Sequence, residues 1–312
     1  MPTGEISPPT PSQAPVLVTG AAGFLGREIV QALARAGYPV RGLVRRAEQV
    51  PTVAAAGGLP LVADVLDLPA VRNAVAGCGG IVHVAANPTD RPNDPELVRV
   101  VRVEGTENLV RAALDTGVSR IVVGSGYWVY ASRHDTITEE SPVEPRGEAQ
   151  NNFDAERAGL AANTAGNLDV MVVRPGMVYG NGSWFRAMVD ELRAGTYRYV
   201  GDGRNRLSPI SLDDTGEAFR LVVEHGRPGA TYLAVDDEPV STRTFCDFVA
   251  ERLHTPLPSG LPRSRAEELW GPDLARLNSA DRAASNARLR SLGWAPRLRS
   301  YRDGLPALIA SM

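Results

Sequence analysis

An α/β fold is predicted, a doubly wound parallel sheet (Rossmann) with a smaller C-terminal substrate-binding lobe. Three features of the sequence point to it. The apolar run at 16–18 leads directly into a glycine turn, Thr19 to Gly26, which opens a stretch of helical periodicity. Short apolar runs recur at 40–44, 61–63, 81–85, 121–123 and 170–173, with helical stretches between most of them. Strands alternating with helices in this way imply a parallel sheet covered on both faces. From about Tyr179 onward the alternation gives way to helical patterns separated by Pro- and Gly-rich loops.

The first strand is followed by Gly20, Gly23 and Gly26, with Phe24 and Leu25 between them. Glycines let backbone amides approach a pyrophosphate with no Cβ in the way, and the next helix aims its positive N-terminal dipole at the same anion. Strand, glycine triplet and helix occur here in the order a dinucleotide site requires. The helix repeats apolar residues over 24–36 and stops at Gly37, a natural C-terminal cap. The helix before the fifth strand is expected over 95–115, with Gly105 inside it. An interior glycine costs about 0.5–1 kcal/mol relative to alanine, so a close approach is the expected compensation. Later helices are expected over 185–193, 215–223, 242–253 and 282–292. The organisation that follows is a mobile Pro-rich tail over 1–13, a dinucleotide-binding domain over 14–178 and a lobe over 179–312 with segments returning to the core sheet.

Composition excludes several classes. A net charge of −3 over 312 residues gives no footprint for nucleic acid or an anionic membrane surface. Cys78 and Cys246 stand far apart and in no metal-ligand pattern, which predicts neither a disulfide framework nor a metal site. The tail lacks the basic start and apolar stretch of a signal peptide, and no apolar run approaches the roughly 18 residues of a membrane span. A cytoplasmic location is expected. The chain has no lysine, so all 33 Lys+Arg residues are arginine. Any mechanism that needs a lysine ammonium must be built differently here, since guanidinium is planar, bulkier and always charged.

In an NAD-preferring site an acidic residue about 20 residues beyond the glycines accepts from the ribose 2′-hydroxyl. The tip of the second strand offers Arg45 and Arg46 instead, and a guanidinium fork grips a 2′-phosphate through charge-assisted bonds. NADP is therefore expected, with NAD the alternative; in that case the two arginines only solvate a strand end and Glu48 approaches the ribose. Asp64 is placed to accept from an adenine amino group or to cap the following helix.

The residues resemble an extended short-chain dehydrogenase/reductase of the NAD-dependent epimerase/dehydratase type. The resemblance runs from Val16 to about Leu308. It rests on the glycine motif, on Val82, His83, Val84, Ala85 and Ala86 at the fourth strand, and on Val103, Glu104, Gly105, Thr106, Glu107, Asn108 and Leu109 in the long helix. It continues through Val129 and Tyr130, through Arg174, Pro175, Gly176, Met177, Val178, Tyr179 and Gly180, and through Asp213 and Asp214 before a C-terminal helix. The resemblance implies that Asp64, Val65, Ala85, Ala86 and Pro175 border the cofactor, that His83 is structural, and that a homodimer is to be considered.

The resemblance also implies a Ser or Thr, a Tyr, and a Lys four residues after that Tyr, and this sequence departs from all three. The Ser position falls on Gly126, with Ser125 one place early. The Tyr and Lys positions fall, by spacing to Arg174, on Phe153 and Arg157, or one place earlier on Asn152 and Glu156. A phenyl ring exchanges no proton, and loss of a general acid/base costs about 10²–10⁴ in rate. Tyr127 is the expected replacement proton donor, unless it packs beside Trp128 as an aromatic core pair. Ser125 is expected to donate to a substrate oxygen, unless it serves only as a turn residue. Arg157 is expected to hold the ribose or clamp a carboxylate. His134, Asp135, Asn151, Asn152, Asp154, Trp184, Phe185, Arg204 and Arg206 are weaker candidates.

The function expected is an NAD(P)-dependent oxidoreductase or epimerase acting on a small organic substrate with a remodelled acid/base site. A redox-neutral isomerase, cyclase or lyase on the same fold, or a non-catalytic NADP-binding sensor, are the alternatives.

Overall fold

The computed structural model describes residues 14–86, 94–164 and 168–312; the tail over 1–13 lies outside the described residues. The first strand, β1 (Val16–Thr19), is buried along its whole length and ends in the glycine turn. Helix α1 (Phe24–Arg35) follows, then β2 (Val40–Val44), α2 (Val50–Ala55), β3 (Leu59–Val62), α3 (Leu68–Val75) and β4 (Gly80–His83). The second half of the sheet is built from α4 (Pro95–Thr116), β5 (Arg120–Gly124), α5 (Glu148–Leu160) and β6 (Asp169–Pro175). Helices α6 (Ser183–Arg193) and α7 (Leu212–His225) come next, and the chain returns to the sheet as β7 (Thr231–Ala234) before α8 (Thr242–Leu253).

The seven strands run parallel in the order β7-β6-β5-β4-β1-β2-β3. Val16 is in register with Val40 on one side and Gly80 on the other, so the winding direction reverses at β1. A crevice opens at that reversal, beyond the carboxyl ends of the strands. Successive β1 side chains point to opposite faces. Val16 and Val18 join Ile29, Leu33, Phe219 and Val222 under α1 and α7, while Leu17 joins Val71, Ile81, Leu109 and Ile121 under α3 and α4.

Gly105 inside α4 has the close approach expected of it. A Cβ there would lie 3.1 Å from Val65 Cγ1 and 3.5 Å from His83 Cε1. Asp94 caps the helix by accepting from the Leu97 amide at 3.0 Å, and Gly117 ends it at φ 77°.

The lobe has its own core, in which Phe185 of α6, Phe245 of α8 and Tyr301 are buried together. Buried Asp214 ties the last part of the chain to α7. Its carboxylate accepts from Ser211 Oγ at 2.8 Å and from the amides of Arg297 at 2.8 Å and Leu298 at 3.1 Å.

The helix expected over 282–292 is corrected. Arg282–Ala284 is a short strand paired with Arg133–Ile137, and only Ala287–Arg290 is helical. Arg282 is drawn inward, its Nε donating to the Tyr130 carbonyl at 3.1 Å, and the Ala284 amide donates to Ser208 Oγ at 2.8 Å. Those long-range partners outweigh the local helical period.

Candidate functional site

The glycine turn sits at the floor of a cleft of about 540 Å³. Gly20 has φ +64°, and a Cβ on it would lie 2.9 Å from the Cα and N of Ala85; a Cβ on Gly26 would lie 2.1 Å from the Gly20 carbonyl oxygen. Only hydrogen fits at either place. The first turn of α1 carries no acidic residue and no side-chain cap, so its free amides and positive dipole end face outward. Such a cradle suits a diphosphate.

Of the residues expected to border a cofactor, Gly20, Gly23, Phe24, Leu25, Gly26, Arg45, Arg46, Asp64, Val65, Ala85 and Ala86 all line this one cleft. Pro175, the last residue of β6, is not on its wall. Glu48 is exposed and also stays off the wall. Asp64 Oδ1 accepts from the Leu66 amide at 3.0 Å, while the cap of α3 is Asp67, which accepts from the Ala70 amide at 3.1 Å. Asp64 is thereby left lining the cleft. The wall includes residues the sequence reading did not single out, among them Gln49, Val101, Arg102 and Ser183. Their approach depends on how α4 and α6 lie over the sheet, which no local pattern encodes.

His83 is a structural residue. Its Nδ1 lies 2.7 Å from Thr19 Oγ1, which also accepts from the Ala85 amide at 3.4 Å. The hydroxyl proton therefore points to Nδ1, and the imidazole proton belongs on Nε2. Burial pushes the His83 pKa down to about 4, with the Arg102 charge acting in the same direction. The ring is neutral at physiological pH and pins the end of β4 to β1.

Ser125 follows β5 at the carboxyl edge of the sheet. Its amide donates to the Val173 carbonyl at 2.9 Å, while its Oγ is buried with no hydrogen-bond partner among the described residues, and the residue is not on the wall of the cleft. Gly126 leaves room for the next aromatic residue, since a Cβ there would lie 2.1 Å from Trp128 Nε1.

Tyr127 sits differently from the expectation of a proton donor in the cleft. It is only 3% exposed, it packs edge-on against Trp128 with ring centroids 5.3 Å apart, and it joins Val129, Tyr130, Ile137 and Leu233 in a separate core cluster. Burial, opposed by the Arg282 charge and a Ser208 backbone hydrogen bond, pushes its pKa up to about 12. It does not line the cleft.

Arg157 is exposed on α5 and is likewise off the wall, whereas Phe153 packs against the Tyr127 cluster. Asn152 is buried with an unpartnered Oδ1, and Glu156 is committed to an ion pair with Arg174. His134 projects into solvent, with its Nδ1 2.8 Å from Asp281 Oδ2, and Arg206 holds the same carboxylate. Arg204 pairs with Asp202 in an exposed loop, Arg133 holds Asp135, and Asp154 accepts from Gln150. Trp184 donates to the Val178 carbonyl at 2.7 Å, and Phe185 belongs to the lobe core. Both cysteines are free and buried, and no group of His, Cys, Asp and Glu suited to a metal occurs among the described residues. No helix among them is long and apolar enough to cross a membrane.

The chain is similar to known proteins over most of its length. It is 33% identical over 306 residues to the 3-diazoavenalumate denitrifying reductase of a Streptomyces species, covering 93% of this chain and 98% of that protein. It is 32% identical over 241 residues to the 4-hydroxy-2-methyl-3-oxo-4-farnesyl-3,4-dihydroquinoline-1-oxide ketoreductase of Stigmatella aurantiaca, covering 75% of this chain and 72% of that one. In fold it matches the dTDP-glucose 4,6-dehydratase DesIV from Streptomyces venezuelae, solved with NAD bound, at a TM-score of 0.79. That match is 24% identical and covers 95% of both chains. Residues 16–234 match the NAD dependent epimerase/dehydratase family. With that match spanning most of the chain, and with the glycine cradle and reversed seven-stranded sheet that carry it, the protein belongs to the NAD dependent epimerase/dehydratase family.

Proposed function

We propose that the protein is a reductase that takes NADP in preference to NAD and acts on a small organic substrate without the tyrosine–lysine pair that the family resemblance implies. One observation carries the reading: Arg45 and Arg46 line the same cleft as the glycine cradle. The cradle suits the diphosphate, and the two arginines at the end of β2 suit a 2′-phosphate. When bound, the reduced nicotinamide supplies a hydride.

Ser125, at the end of β5, has a buried hydroxyl with its hydrogen-bonding capacity unused. In this reading it donates to the substrate oxygen on which charge develops. Tyr127 keeps a packing role, because its ring belongs to a core cluster and stacks edge-on against Trp128.

A second reading is favoured by the cleft wall, which carries no tyrosine, histidine or cysteine among the described residues. Reductive loss of dinitrogen from an aromatic diazonium cation, the kind of change suggested by the name of the denitrifying relative, forms a carbon–hydrogen bond from the hydride as the carbon–nitrogen bond breaks and dinitrogen leaves. That exchange needs no proton from a side chain.

The test is nicotinamide absorbance during turnover. NADPH and NADH are offered separately with a panel of carbonyl compounds and aromatic diazo compounds. Oxidation of NADPH with one class supports the matching reading. Product formation with unchanged absorbance would point to an isomerase or lyase instead, and saturable NADPH binding without turnover on any member would point to a sensor.

A further inference from the structure

Asn152 of α5 is only 5% exposed, and its Oδ1 has no hydrogen-bond partner among the described residues. Asparagine is a weak helix former, and burying an unpaired carbonyl oxygen carries a desolvation cost that an apolar residue would avoid. A carboxamide kept at such a place asks for a donor from outside the chain.

Strand register shows where that donor would stand. His83 of β4 is level with Val123 of β5, and Gly124 is level with Val173 of β6. Continuing both registers sets Ser125 between Ala85, which lines the cleft, and Arg174. Residues two apart in a strand share a face, so Ser125 points to the side of Val123. Helix α5 covers that side: a Cβ on Gly159 would lie 3.1 Å from Val123 Cγ2, and Glu156 holds Arg174. Asn152 shares the face of Glu156 and lies four residues nearer the helix start, about 6 Å further out at 1.5 Å per residue. It therefore stands just beyond the carboxyl ends of β5 and β6, above Ser125, where the crevice of a doubly wound sheet lies.

The two side chains complement each other. Ser125 Oγ is also buried without a partner among the described residues. A hydroxyl donates, whereas a carboxamide oxygen only accepts. The charges beside them are spent on each other, Glu156 on Arg174, so the place suits a neutral group that both accepts and donates.

We propose that Asn152 is a specificity residue, whose carboxamide oxygen accepts from a hydroxyl that the substrate carries near the oxygen received by Ser125. The substrate class is then a hydroxylated carbonyl compound. The assignment rests on the reductase reading above and adds the second polar group that the substrate must present.

The experiment measures binding by calorimetry, to the protein alone and to the protein saturated with NADP⁺, which has no hydride to give. The probes are 2-, 3- and 4-hydroxyacetophenone, each with its fluoro analogue, and hydroxyacetone with butanone. NADPH oxidation is followed separately with the same compounds. The wild-type protein is expected to bind at least one hydroxy compound about tenfold or more tightly than its partner. Asn152→Leu and Asn152→Ala are both expected to erase that preference, with NADP⁺ affinity unchanged within about twofold. Asn152→Asp is expected to retain it, since a carboxyl oxygen of the same shape accepts in either protonation state. Asn152→Leu is also expected to leave the thermal midpoint unchanged or raised, because an unpaired buried acceptor is removed; a structural role would lower it. The proposal is overturned if no pair is discriminated, if the preference survives both apolar variants, or if those variants weaken NADP⁺ as much as the probe. The first outcome would leave the carboxamide to an ordered water, and the last would give it to the cofactor. A hydroxyl preference in a protein that oxidises no NADPH would sink the reductase reading and leave this assignment standing; NADPH oxidation without the preference would do the reverse.

Discussion

Glu156 and Arg174 form a two-pronged ion pair inside the protein, with Nε to Oε1 at 2.9 Å and Nη2 to Oε2 at 2.5 Å. The same guanidinium lies over the Tyr130 ring, 4.7 Å from its centroid. The pair joins α5 to β6 immediately behind the carboxyl edge of the sheet. It also explains why neither alignment of the missing tyrosine and lysine restores an acid: Glu156 is neutralised by Arg174 and serves the core. Glu156→Ala is expected to destabilise by about 3–5 kcal/mol, because one buried charge is left alone. A double replacement by Leu and Met is expected to cost far less. Thermal or denaturant unfolding of the three proteins checks both.

The arginines at the end of β2 make a prediction about cofactor choice. Arg45→Ala is expected to weaken NADP about tenfold or more, since hydrogen bonds to charged groups are worth about 1.5–3 kcal/mol, and to leave NAD nearly unaffected. Titration of each nucleotide by tryptophan fluorescence reads the two constants. Equal losses would mean that the guanidinium only solvates the strand end.

Ser125 and Tyr127 are separated by their surroundings, and two variants distinguish them. Ser125→Ala is expected to lower kcat by about 10²–10³ with cofactor affinity intact, as for loss of one donor to a developing oxyanion. Tyr127→Phe keeps the packed ring against Trp128 and is expected to leave kcat within a few-fold of wild type. The reverse ranking would restore the phenol as the proton donor.

Asp236 makes stability depend on pH. It is 2% exposed, its Oδ1 accepts from the Glu238 amide at 3.0 Å, and its Oδ2 has no hydrogen-bond partner among the described residues. Burial, helped by the neighbouring Glu238 and Asp237 charges, pushes its pKa up to about 8 from 3.8. A carboxyl whose folded pKa is raised contributes fully below the unfolded value, and that contribution is lost as pH rises through the folded one. Stability is therefore expected to fall between about pH 4 and pH 8, and Asp236→Asn to flatten that part of the profile. Denaturant midpoints across the range, for both proteins, measure it.

Much of the sheet was legible because its signals are local. The glycine turn, the first helix and the second strand are each written in a few consecutive residues, and they occur where the sequence places them. Gly105 announced a close contact because an interior glycine needs a reason, and Val65 and His83 supply it. The cleft wall was legible to the same extent, through the residues that immediately follow strands. Arg102 was not, since nothing in Val101, Arg102 and Val103 distinguishes a guanidinium facing a cleft from one facing water.

The sequence by itself determined the order of strands and helices, the glycine cradle and the absence of a lysine, because each depends on neighbours in the chain and on the identity of single side chains. Tertiary structure alone decided that Tyr127 packs inside a core, that residues 282–284 form a strand and not a helix, and that Arg102 lines the cleft. Those outcomes depend on burial and on contacts between residues far apart in sequence, and the free energy of a charge or a phenol is set by what surrounds it after folding.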